Sequence, residues 1–89
     1  MENQFNMNTK GNVVDVFSGK QLTHLLNKRE MKVSKFYREL VLRGFDRSQP
    51  MIYRWMKGLS EPRATDVSLM AHILGCRMND FFEDESRVN

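Results

Sequence analysis

An all-α domain of about five helices is what these 89 residues predict. Three observations carry that expectation. Apolar residues recur at helical spacing in separate stretches. Gly or Pro stands at most of the gaps between them. Cap residues open the stretches where a helix would need them.

Residues 1–12 are rich in Asn, Gln, Thr and Gly and read as flexible. Val13, Val14, Asp15, Val16 and Phe17 form a short β-branched run, an extended segment or small strand. One strand needs a partner, either its copy in a dimer or the neighbouring helices. Ser18 opens the first helix, with Gln21 at capping-box spacing and Phe17 and Leu22 placed for a hydrophobic staple. Leu22, Leu25, Leu26 and Met31 supply its stripe, so the helix is expected over 19–30.

Phe36, Tyr37, Leu40 and Val41 define a second helix over 33–43, closed by Gly44. Ser48, with Asp46 as rival, caps a third helix whose first turn tolerates Pro50 and whose end is Gly58. Ile52 and Trp55 share its inward face, with Met56 beside them. Gln49, Met51, Tyr53, Arg54 and Lys57 are left for the outside. Ala64, Val67, Met70, Ala71 and Leu74 give a fourth helix over 64–74, stopped by Gly75. A short fifth helix over 78–83 would bury Met78, Phe81 and Phe82. The chain thus divides into an N-terminal segment 1–17, a helical domain 18–83 and an acidic tail 84–89.

Composition narrows the function classes. No run approaches the ~18 apolar residues of a membrane span, and no apolar stretch follows a charged start as in a signal peptide. Cys76 is the sole cysteine, which suits a reducing cytoplasm. Between Lys20 and Lys57 stand ten basic residues against three acids, whereas 78–89 holds four acids and one base. That asymmetry fits a polyanion-binding face with the tail turned away, or a solvated surface. Gly-rich phosphate loops, nucleophile elbows and paired ligand motifs are missing, so neither an enzyme nor a cofactor is expected. His72 and Cys76 sit four apart, but zinc needs further ligands and no second pair exists, so no metal is expected.

The most informative run is 52–62: Ile52, Arg54-Trp55, Lys57-Gly58 and Pro62, preceded by Ser48. Ala71-His72-Ile73-Leu74-Gly75 and Asp80-Phe81-Phe82 follow. In that order and spacing these residues resemble the Cro/C1-type helix-turn-helix domain of phage and bacterial regulators, over residues 20–83. Two departures stand in the first half. Tyr37 occupies a position that is usually small, and the connection from Leu40 to Ser48 is several residues longer.

The resemblance implies that the third helix enters the DNA major groove. Gln49, Pro50, Met51 and Arg54 would face base edges. Gln suits adenine N6 and N7, Arg suits guanine O6 and N7, and Pro50 and Met51 suit thymine methyls. Backbone contacts would come from Lys32, Ser34, Lys35, Ser48, Tyr53, Lys57, Ser60 and Arg63. Blander readings stand beside these: Arg54 paired with Glu61, and Gln49 capping its own helix. Trp55 is assigned to the core because it shares the Ile52 face.

The function expected is a sequence-specific double-stranded DNA-binding regulator, a repressor by operator occlusion, acting as a homodimer. Its dimer interface would use the Phe81-Phe82 region or the 13–17 segment. The alternative is a protein-binding module, an antitoxin or antirepressor, with its partner site at the N-terminus or at exposed Phe17, Phe45 or Phe82.

Overall fold

The computed structural model describes residues 15–84. Their order is β1 (Asp15–Phe17), α1 (Gly19–Lys28), α2 (Val33–Leu42), α3 (Pro50–Met56), α4 (Ala64–Leu74), a short 3-10 helix (Met78–Phe81) and β2 (Phe82–Asp84). The domain is mostly helical, as expected, but it carries a two-stranded sheet that the all-α reading did not include. The expectations for residues 1–14 and 85–89 lie outside the described residues.

The four helices end in one hydrogen-bonded pattern, in which the amide two residues past the last helical turn reaches back to close it. Met31 N–H donates to the Leu26 carbonyl, Phe45 to Leu40, Leu59 to Arg54 and Cys76 to Ala71. A left-handed residue must sit at the closure. Glycine fills it at Gly44, Gly58 and Gly75, while Glu30 fills it after α1 with φ 55°. That closure stops α1 two residues before the predicted end at Glu30.

Ser18 caps α1 as predicted, its hydroxyl accepting from Gln21 N–H at 3.2 Å. The same hydroxyl donates to the Glu83 carboxylate at 3.0 Å, and Ser18 N–H donates to the Phe81 carbonyl at 2.7 Å. These bonds sew the start of the domain to its end. The predicted strand finds its partner neither in a copy nor among the helices but in β2 of the same chain. The pairing is antiparallel, with Asp15 opposite Asp84, Val16 opposite Glu83 and Phe17 opposite Phe82.

The fifth helix is corrected accordingly. One 3-10 turn forms, held by Asp80 accepting from Arg77 N–H at 2.9 Å, and Phe82 then turns extended. A six-residue helix is marginal alone, and ladder bonds to β1 compete for the same backbone. Phe81 is fully buried and Phe82 half-buried, but Met78, expected inside, is 41% exposed.

The core is continuous, with Leu22, Phe36, Leu40, Ile52, Trp55, Met70 and Phe81 all inaccessible. α3 packs on α1, and α2 packs on α4. Gly19 makes the first contact possible. A Cβ there would collide with the Trp55 and Met56 carbonyl oxygens and lie 2.7 Å from the Met56 carbonyl carbon. The long connection, residues 43–49, drives Phe45 between α2 and α3. Its ring meets Tyr37 edge-on at 6.2 Å and Trp55 at 5.6 Å. No helix among the described residues is long and apolar enough to cross a membrane.

Candidate nucleic-acid interface

α3 is an amphipathic helix of two turns. Ile52 and Trp55 are fully buried, while Tyr53 and Arg54, on the same turn, face solvent. This split follows from helical periodicity alone. Its start differs from expectation. Ser48 is exposed and caps nothing with its side chain, and Gln49 is already helical (φ −59°, ψ −38°) without a side-chain cap bond. The first turn closes instead through the Ser48 and Gln49 carbonyls, which accept from Met51 at 3.1 Å and Ile52 at 2.9 Å. The rival cap, Asp46, is engaged elsewhere.

Of the four base-contact candidates, Pro50 and Arg54 are exposed, and Gln49 and Met51 are half-buried. Met51 leans on the core, and the Ser60 hydroxyl donates to its sulfur at 3.4 Å. Arg54 Nη2 donates to the Leu59 carbonyl at 3.4 Å, a weak tether that leaves most of the guanidinium edge free. The pair with Glu61 does not form.

Six of the eight backbone-contact candidates fall into three groups. Lys32, Ser34 and Tyr53 line one depression between the α1–α2 turn and α3, floored by Met31, Val33 and Met56. Lys35 is exposed one residue further along α2. No side chain caps the α2 N-terminus, where Lys32 stands at the cap position, so the first-turn N–H groups add positive potential there. Lys57 lies beyond the other end of α3, in a second depression shared with Lys20 and Gly58. Among the described residues, no carboxylate forms an ion pair with Lys32, Lys35, Arg54 or Lys57.

Arg63 belongs to neither depression. Its guanidinium donates to Asp66 at 3.0 Å through Nε and again through Nη2, and to Asp46 at 2.8 Å. Three of its hydrogen bonds are thus made within the chain, while about half of the side chain stays exposed. Asp66 is 1% exposed and also accepts from Arg63 N–H at 3.0 Å and from Arg47 Nη2 at 3.1 Å. Burial alone would raise the Asp66 carboxyl, but the hydrogen bonds from Arg63 and then Arg47 outweigh it and hold the group below its ordinary range. The Arg63 hydrogen bond and charge likewise lower Asp46. Burial pushes the Cys76 thiol up, so it stays protonated at neutral pH.

This Arg47–Asp66–Arg63–Asp46 network is the feature that sequence reasoning missed. Its one local signal was Asp66 three residues after Arg63, the spacing of a carboxylate that caps its own helix. The phenylalanines named for a protein partner or dimer contact are largely spent internally, and Val13 and Val14 lie outside the described residues. Phe17, Phe45 and Phe81 are buried, and Phe82 is half-buried against Phe17 at 6.0 Å. Compared with protein-family models, curated proteins and solved structures, the chain gives no match.

Proposed function

We propose that this chain is a sequence-specific double-stranded DNA-binding domain of the Cro/C1 helix-turn-helix kind, with α2 and α3 as its two working helices. The carrying observation is the set of cations around α3 that no carboxylate among the described residues pairs with. Arg54 and Tyr53 project from its outer face, Lys32, Ser34 and Lys35 flank one side, and Lys57 marks the far end.

A B-form major groove accepts a single helix, and an exposed arginine can fork onto guanine O6 and N7. Arg54 is the specificity residue in this reading. Pro50 and Met51 offer apolar contact to thymine methyls, and Gln49 its amide to adenine. The lysines and the Ser34 and Tyr53 hydroxyls bind phosphates and fix register without reading sequence.

The biological role that follows is a small transcriptional regulator acting by occlusion, binding as a homodimer to half-sites about 34 Å apart. For the protein-partner alternative, Phe17 and Phe45 are buried and Phe82 is half-buried, and its other candidate site, the N-terminus, lies outside the described residues.

Salt titration of duplex binding tests the proposal. Three lysine–phosphate contacts per protomer correspond to a log–log slope of about −2.7 per protomer. Absence of duplex binding at low salt, or a flat slope, overturns the reading.

A further inference from the structure

The geometry points to Arg47 as the positioning residue that aims the front of α3, a role that rests on the DNA-binding reading above. α3 has seven residues and no side-chain cap, too few to hold a shape of its own. Its rear is fixed by Trp55 in the core and by the close passage of Gly19 under the Trp55 and Met56 carbonyls. Its front depends on residues 43–49.

Two side chains anchor that connection. Phe45 wedges between α2 and α3. Arg47, two residues ahead of Gln49, donates to Asp66 at 3.1 Å and lies with its guanidinium 6.0 Å above the Trp55 ring. Asp66 is a fixed post, because it sits on α4 with its side chain only 2% exposed and is already gripped by the Arg63 backbone and guanidinium. A planar guanidinium can stack on an indole and bond a carboxylate at once, whereas an ammonium meets the carboxylate only as a point charge.

Arg47 therefore sets where Gln49, Pro50 and Met51 stand relative to the lysines on α2. Loosening it moves Gln49, Pro50 and Met51 while leaving Arg54 and the phosphate contacts in place. Sequence discrimination falls, and general affinity does not.

The test compares two probes: the duplex that wild-type protein enriches from a random library, and a shuffled duplex of the same composition. Arg47→Met and Arg47→Lys are measured at a temperature where circular dichroism shows full folding. Ala71→Gly, buried in α4 away from the connection, serves as a control for general destabilisation. The preference for the enriched duplex should fall about tenfold in both Arg47 variants. Binding of Arg47→Lys to the shuffled duplex should stay within about twofold of wild type, since the charge is kept. Ala71→Gly should lower the melting temperature and keep the preference. Should Arg47→Met not fold, Arg47→Lys decides alone. Wild-type preference in folded Arg47→Lys overturns the proposal, as does an equal loss of preference in Ala71→Gly for the same loss of melting temperature. Wild-type protein that binds neither duplex would instead sink the DNA reading itself, before any variant is made.

Discussion

Arg54 and Arg63 stand on either side of the Gly58–Pro62 loop and are put to opposite uses. Arg54 faces solvent with one weak tether to the Leu59 carbonyl. Arg63 is locked to Asp46 and Asp66. Both carry the same charge, and the sequence offers both as DNA contacts, Arg54 to bases and Arg63 to the backbone. What separates them is a carboxylate beneath one and none beneath the other. A buried Asp66 must be neutralised by hydrogen-bonded partners, so it claims Arg63 and Arg47 for the fold. Among the described residues no carboxylate pairs with Arg54, Lys57, Lys32 or Lys35, and in the DNA-binding reading their charge serves the ligand. Positive charge on this molecule thus has a structural share near the α4 N-terminus and, among the described residues, an unpaired share around α3.

The largest effect expected from that division is on stability. Asp66→Ala should cost about 3 kcal/mol, the lower end for breaking a buried pair because both arginines keep some water. Urea denaturation checks it, and a loss under about 1 kcal/mol would erase the contrast between the two clusters. Arg54→Ala should leave that stability unchanged and instead cost about 1–3 kcal/mol of affinity at the enriched duplex, with relaxed preference at one base pair. Equal loss on all duplexes would move Arg54 into the phosphate-binding group.

Acid sharpens the comparison. Asp66 in the folded chain titrates below its unfolded value of 3.8. Its stabilisation is complete above that value and drains as pH falls through the lower folded one. The melting temperature of wild type should therefore drop below about pH 4, and that of Asp66→Asn should drop less over the same range. The smallest change expected is in Lys57→Ala, which should flatten the salt slope by about 0.9 and weaken all duplexes alike.

Much of the fold was legible because its signals are local. Pro62 and Gly75 bracket α4, whose observed span is the predicted one. Ser18 announced α1, and the alternation of Ile52 and Trp55 with Tyr53 and Arg54 gave the exposed face of α3. The misses are non-local. β1 pairs with β2 across nearly the whole chain, so the 13–17 segment showed a strand without showing its partner. That pairing converted the expected last helix into a turn and a strand. Arg47 bonds Asp66 across nineteen positions, and nothing near Arg63 in sequence shows that Asp66 is buried. Ser48 looked like a cap because its residue type favours one. The connection ahead of it is instead held by Phe45 and Arg47, and α3 begins in helical conformation at Gln49. Glu30 is a local miss of another kind, since a non-glycine at a left-handed closure gives no sequence cue.

Amide chemical-shift mapping during titration with the enriched duplex tests the central claim most directly. The division of charge predicts that residues 51–57 and 32–35 shift first and furthest, while Asp46, Arg63 and Asp66 stay near their free positions. Shifts centred on residues 43–46 and 63–69, with residues 51–57 silent, would contradict it.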